Sequence, residues 1–163
     1  MSLLDQIRKK SNVDCRPAAP AGLDQLRSLG APEDVLTFYR DSEPAGIAEI
    51  GEVRLCPISE ILAENRDYVP GCYAQPCGYV VFATTLYGDA FCSDVQAASG
   101  TIAPVVLIAH DLEPENDQIK REDLARFAKP IAASFEGFLK AFVSETLDIE
   151  PLYSPFDSGN GQL

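Results

Sequence analysis

The sequence is short of bases. Thirteen Lys and Arg stand against 25 Asp and Glu, a formal net charge of −12 over 163 residues. Nucleic-acid binding needs a basic face for the phosphates, and attraction to an anionic membrane surface needs the same, so neither is expected. Histidine is scarcer still: His110 is the only one, so a nucleophilic triad has a single candidate base. No apolar run approaches the roughly 20 residues of a membrane-spanning helix. The N-terminus, with Asp5, Arg8, Lys9 and Lys10, has no apolar signal core. The expectation is a cytoplasmic protein. There is no phosphate loop and no dinucleotide-binding glycine pattern, so no cofactor is expected.

Cysteines are present but not in a pattern that commits them. Cys15, Cys56, Cys72, Cys77 and Cys92 make an odd number, which with no export signal argues for free thiols in a reducing compartment. A zinc site would join Cys72 and Cys77 to two of Cys56, Cys92 and His110. The chain lacks the second close pair that usually completes such a site, so no metal is expected. Cys56 and Cys92 sit in apolar settings and read as small core residues.

What is there is organised around Gly78 to His110. Tyr79 to Thr85 is apolar on nearly every residue rather than every second one, so both faces of that strand should be covered. Leu86-Tyr87-Gly88-Asp89 is a turn, with Gly88 free to take positive φ and Asp89 able to bond local backbone. Ala90 to Asp94 returns as a hairpin arm, and Val105 to Ala109 adds a further strand. These three should form the middle of a sheet. Upstream, Leu3 to Ser11 reads as a short helix prone to fraying. Asn12 to Ala21 reads as a loop, and Leu23, Leu26 and Leu29 mark a helix ending at Gly30. Pro32 is expected to open the next helix. Two short strands, Ile47 to Ile50 and Val53 to Cys56, precede a helix in ISEILAEN.

Downstream, residues 111–122 (DLEPENDQIKRE) are mostly charged and read as a solvated loop. Leu124 and Phe127 suggest a helical turn before Pro130. Phe135, Phe138, Leu139, Phe142 and Val143 then follow the i, i+3, i+4, i+7, i+8 template, which predicts a helix packed on the sheet, with Ser134 as its N-cap. The length is that of one domain able to bury roughly 70% of the surface its unfolded chain exposes. The domain is expected over residues 1–150, and the polar tail of 151–163 is expected to be disordered.

Three segments in this order carry a resemblance. They are the helix APEDVLTFYRDSEPAGI with RLCPISEILAEN after it, the hairpin holding Tyr87-Gly88-Asp89 and Asp94 followed by PVVLIAHD, and the closing SFEGFLKAFV. Together they resemble the SUKH superfamily, which groups bacterial immunity proteins with fungal regulators of cell-wall glucan synthesis of the Smi/Knr type. The resemblance covers about Leu23 to Val143. It implies an α+β fold, a mainly antiparallel sheet of five or six strands flanked by N- and C-terminal helices. It also implies a non-enzymatic binding protein, which neutralises a cognate bacterial toxin or serves as a regulatory or ligand-binding scaffold.

Acidity adds the chemistry of the partner: a basic protein, such as a nuclease or another toxin with a cationic cleft. Candidate contact residues are the acids at turns flanking the sheet. These are Asp41 and Glu43 after the Pro32 helix, Asp89 and Asp94 on the hairpin, and Asp111 and Glu113 after the strand that ends at His110. Asp89, Asp94, Asp111 and Glu113 read equally as turn and strand-end caps rather than ligands of a divalent metal. His110 reads as a strand-end histidine with a structural hydrogen bond, and no catalytic residue is assigned.

Overall fold

The computed structural model describes residues 1–112, 114 and 118–152. Its centre is an antiparallel sheet of six strands, each hydrogen-bonded to the next in the chain. These strands are β3 (Ala48–Ile50), β4 (Val53–Leu55), β5 (Tyr79–Thr85), β6 (Ala90–Asp94), β7 (Val105–Ile108) and β8 (Lys129–Ala132). The fold is therefore α+β, with the predicted three strands in the middle. All seven residues of β5 are buried, as its unbroken apolar run requires.

The two faces of the sheet carry separate cores. On one face Val80, Phe82, Phe91 and Leu107 meet the helix α7 (Phe135–Ser144), whose Phe135, Phe138, Leu139, Phe142 and Val143 are all buried. The predicted stripe and the observed one are the same five residues. Ser134 accepts the Gly137 N–H at 3.0 Å and starts that helix. Helices α1 (Leu3–Ser11), α2 (Pro20–Leu29) and α3 (Glu33–Ser42) complete this layer, and α1 packs on edge strand β3. Helix α1 is anchored rather than frayed: Ile7 is buried, Arg8 donates to the Cys15 carbonyl at 2.8 Å, and Lys10 donates to the Val143 carbonyl at the end of α7.

The opposite face is covered by α5 (Gly71–Ala74), a 3-10 turn at Gln75–Cys77, and the chain leading into α6 (Arg121–Ala125). Here the reading of residues 111–122 as a solvated loop is corrected. Within its described residues Leu112 is buried and Ile119 packs beside it and beside Leu124 of α6, and the Cys77 thiol donates to the Ile119 carbonyl at 3.3 Å; residues 113 and 115–117 lie outside the described residues. A few apolar side chains spaced among many charges are enough to close a sheet face while the charges stay in water.

Helix α4 (Ile58–Arg66) links the layers, and at the following turn Gly71 approaches it closely. A Cβ on Gly71 would stand 1.8 Å from the Glu64 carbonyl oxygen, so only glycine fits. Three elements were not anticipated or were misplaced. Strand β8 includes Pro130, tolerated because β8 is a sheet edge and needs no outward donor there. Cys15–Arg16 (β1) pairs with Glu43–Pro44 (β2) in a ribbon, so the segment read as a loop holds a strand too short to signal itself. Pro32 is the N-cap of α3, and Glu33 is its first helical residue. Among the described residues, no helix is long and apolar enough to cross a membrane.

Candidate functional site

The strand register sorts the turns into two ends of the sheet. Val53 lies opposite Thr85, and Ala90 lies opposite both Thr84 and Ile108. The Gly51-Glu52 turn, the Leu86–Asp89 turn and the His110-Asp111 corner therefore share one end, and the Leu86 N–H donates to the Glu52 carbonyl at 3.0 Å. Helix α7 starts beyond β8 and runs back along the sheet, which brings its C-cap, Glu145, to the same end. A Cβ on Gly51 would lie 3.1 Å from Glu145 Oε1.

The six candidate acids do not form one cluster. Asp89 is 3% exposed. Its Oδ1 accepts the His110 backbone N–H at 2.9 Å and lies 2.8 Å from His110 Nδ1. The carboxylate thus bridges two strands instead of capping its own turn, where the Thr85 hydroxyl accepts the Tyr87 and Asp89 N–H groups. Asp94 lies at the opposite end of β6. It accepts the Ala97 N–H at 3.3 Å and pairs with Arg121 at 2.8 Å. Arg121 also donates to the Cys77 carbonyl at 2.7 Å and rests 4.6 Å above the Tyr79 ring, so Asp94 fastens the covering segment to the sheet.

Glu43 accepts the Ile58 N–H at 2.8 Å and supplies the α4 N-terminus with the cap that Pro57 cannot. Asp41 is exposed near the end of α3, and Asp111 is half-buried beyond β7. Glu113 lies outside the described residues. Sequence reasoning missed Glu52, Glu145 and the exposed pair Leu86-Tyr87. The one available signal was two large apolar residues at a turn, where polar ones are usual.

The Asp89–His110 pair has the form of the orienting half of a triad, with an exposed imidazole held by a buried carboxylate. The thiols do not supply the other half. Burial pushes all five up, Cys56 to about 12 and Cys92 further, with Cys15, Cys72 and Cys77 shifted the same way. A nucleophilic cysteine needs the opposite shift. Only Cys72 is not fully buried. In native protein at pH 8 one thiol, Cys72, should therefore attack an aromatic disulfide reagent first, forming a mixed disulfide and releasing the reagent's coloured thiolate, and the other four should react only on unfolding. Fast labelling of Cys56 or Cys92, located by peptide mapping, would contradict the packing of both cores. Among the described residues, no group of three or more His, Cys, Asp and Glu gathers to hold a metal.

The sequence profile of the SMI1 / KNR4 family (SUKH-1) matches residues 27–141, most of the chain. The chain belongs to this family. No curated protein and no solved structure shows significant similarity to it. The SUKH-1 match begins inside α2 and ends inside α7, so the six-stranded sheet lies wholly within it. Helix α1, strand β1 and the segment after α7 fall outside. Membership supports an immunity-protein or regulatory module. SUKH immunity proteins act by binding protein toxins.

Proposed function

We propose that this SUKH-1 protein is a non-enzymatic immunity protein that binds a basic toxin and blocks its active cleft. The supporting observation is the combination of family and charge. The matched region contains the whole six-stranded antiparallel sheet, and the chain carries −12. A surface potential of that sign accelerates encounter with a cationic cleft and disfavours acidic partners. Within the six acids, Asp89, Asp94 and Glu43 direct their carboxylates to internal partners, so we assign them to holding the scaffold. Asp41 remains as a surface charge, and Asp111 is half-buried with its Oδ1 out of solvent.

The test uses any toxin found encoded beside this gene. Co-expression should protect the cell, and the purified proteins should form a stoichiometric complex. The association rate should fall by about tenfold or more between 0.1 M and 1 M salt, as the Debye length shrinks from ~10 Å to ~3 Å. A rate indifferent to salt would reject electrostatic steering. Failure to bind or protect against any adjacent toxin would favour the other role of the family, a regulatory scaffold.

A further inference from the structure

The sheet end that gathers the Gly51-Glu52 and Leu86–Asp89 turns also holds an apolar pocket. It has a volume of about 320 Å³, with Ile50, Phe142, Leu147 and Ile149 among its lining residues and Glu52 and Glu145 beside them. Next to it stand two large side chains in water, Leu86 at 50% exposure and Tyr87 at 58%. The Tyr87 hydroxyl donates to Glu52 Oε1 at 2.9 Å, which joins the exposed pair to the pocket rim. The hydrogen bond to Glu52 and, more weakly, the charge of Glu150 push the Tyr87 phenol above its ordinary range.

The charges here are unbalanced. Lys10 reaches Glu145 only at 3.9 Å, and Lys129 pairs with Asp148 at 2.7 Å. The Lys129 ammonium also donates to the Glu150 carbonyl at 2.6 Å, whereas the Glu52 carboxylate has no cation within salt-bridge distance among the described residues. A second groove, between the N-termini of α3 and α7, also has acids on its rim. There Glu33 pairs with Arg40 at 3.7 Å and Glu136 with Lys140 at 3.4 Å, so that rim is largely neutralised.

We infer that the turn end of the sheet is the docking surface for a basic protein segment with an aliphatic anchor beside a lysine or arginine. The inference rests on the binding-protein reading and specifies its surface. The aliphatic side chain fills the pocket. The cation sits among Glu52, Glu145 and Glu150, over the face of Tyr87, where carboxylates and the ring quadrupole attract it together. Leu86 and Tyr87 supply apolar area already exposed in the free protein, and aromatic side chains are frequent anchors of interfaces.

The experiment is an NMR titration of the full chain, labelled with nitrogen-15, using a short peptide of alternating Lys and Leu. The Lys/Ser and Glu/Leu versions are the comparisons. Saturable shifts should centre on the amides of Gly51, Glu52, Tyr87, Glu145 and Ile149. Affinity should fall about tenfold with Leu86→Ala/Tyr87→Ala, with Glu52→Gln/Glu150→Gln, and with either comparison peptide. Both pairs of substitutions are on the surface, so unshifted core amides serve as the folding control. Shifts centred on Glu33, Phe38 and Glu136, no saturable shift, or equal binding of the Lys/Ser peptide would each overturn the proposal. So would a Leu86→Ala/Tyr87→Ala protein that binds the adjacent toxin as tightly as the parent, and that result would leave the immunity function standing.

Discussion

Replacing Phe138 with alanine should remove about 3–5 kcal/mol of stability, a large share of the ~5–15 kcal/mol that holds a typical domain. Phe138 is fully buried at the middle of α7. Its ring lies 4.8 Å from that of Phe82, 5.1 Å from Phe91, 6.0 Å from Phe142 and 6.2 Å from Phe135. Phe82 comes from β5 and Phe91 from β6, so one side chain fastens the closing helix to both central strands. Truncation loses the transfer energy of the ring and leaves a cavity whose walls belong to three different elements. Such walls collapse poorly, which places the expected cost in the upper part of the range. Phe138→Leu should cost less, because it keeps more of the volume. Lys140→Ala, exposed on the same helix, should stay within about 0.5 kcal/mol. Urea unfolding with the slope unchanged measures all three. A Phe138→Ala midpoint equal to the parent's would contradict the placement of α7 on the sheet.

The same helix shows what the sequence could reveal. A stripe of five apolar residues with helical spacing has one physical solution, burial against something flat, and β5 announced the flat partner by being apolar on both faces. Strand β8 was hidden because a proline in a run of mixed polarity reads as a break, and only its place at the sheet edge makes the proline harmless. The cover on the second face was hidden for a related reason. Leu112, Ile119 and Leu124 are too few and too widely spaced to set a period, yet three anchors suffice once the sheet is there.

The candidate surface was less legible than the fold. Turn carboxylates can face either a partner or the backbone, and spacing does not distinguish the two. Asp89 meets a residue 21 positions away, and Asp94 meets one 27 positions away. Glu52 and Glu145 converge only because α7 returns along the sheet to the Gly51-Glu52 turn. No local pattern contains that information.

Asn65→Leu should cost about 2–5 kcal/mol, although it replaces a polar side chain in a buried site with an apolar one of similar size. Asn65 is 2% exposed near the end of α4. Its Oδ1 accepts the Val81 N–H at 2.9 Å, and its Nδ2 donates to the Val81 carbonyl at 2.8 Å and the Ile61 carbonyl at 2.7 Å. The place of these bonds explains their weight. Strand β4 pairs with β5 from Val53 to Leu55, the Cys56 N–H takes the Phe82 carbonyl at 3.1 Å, and there the neighbouring strand stops. Both backbone groups of Val81 are bonded by the Asn65 amide instead. Leucine would leave those two groups in the interior with no partner, at roughly 1–3 kcal/mol each. The Ile61 carbonyl suffers less, since it is also within reach of its own helix's N–H ladder. Asparagine in the last turn of a helix is ordinary by local propensity, so only the tertiary contact shows the weight this one carries. Asn65→Asp keeps the acceptor for the Val81 N–H but loses the donor, so it should also destabilise. Hydrogen exchange should show the Val81 amide losing protection in Asn65→Leu beyond the global change. Unaltered exchange at Val81 together with an unaltered midpoint would mean that the end of α4 is not what completes β5.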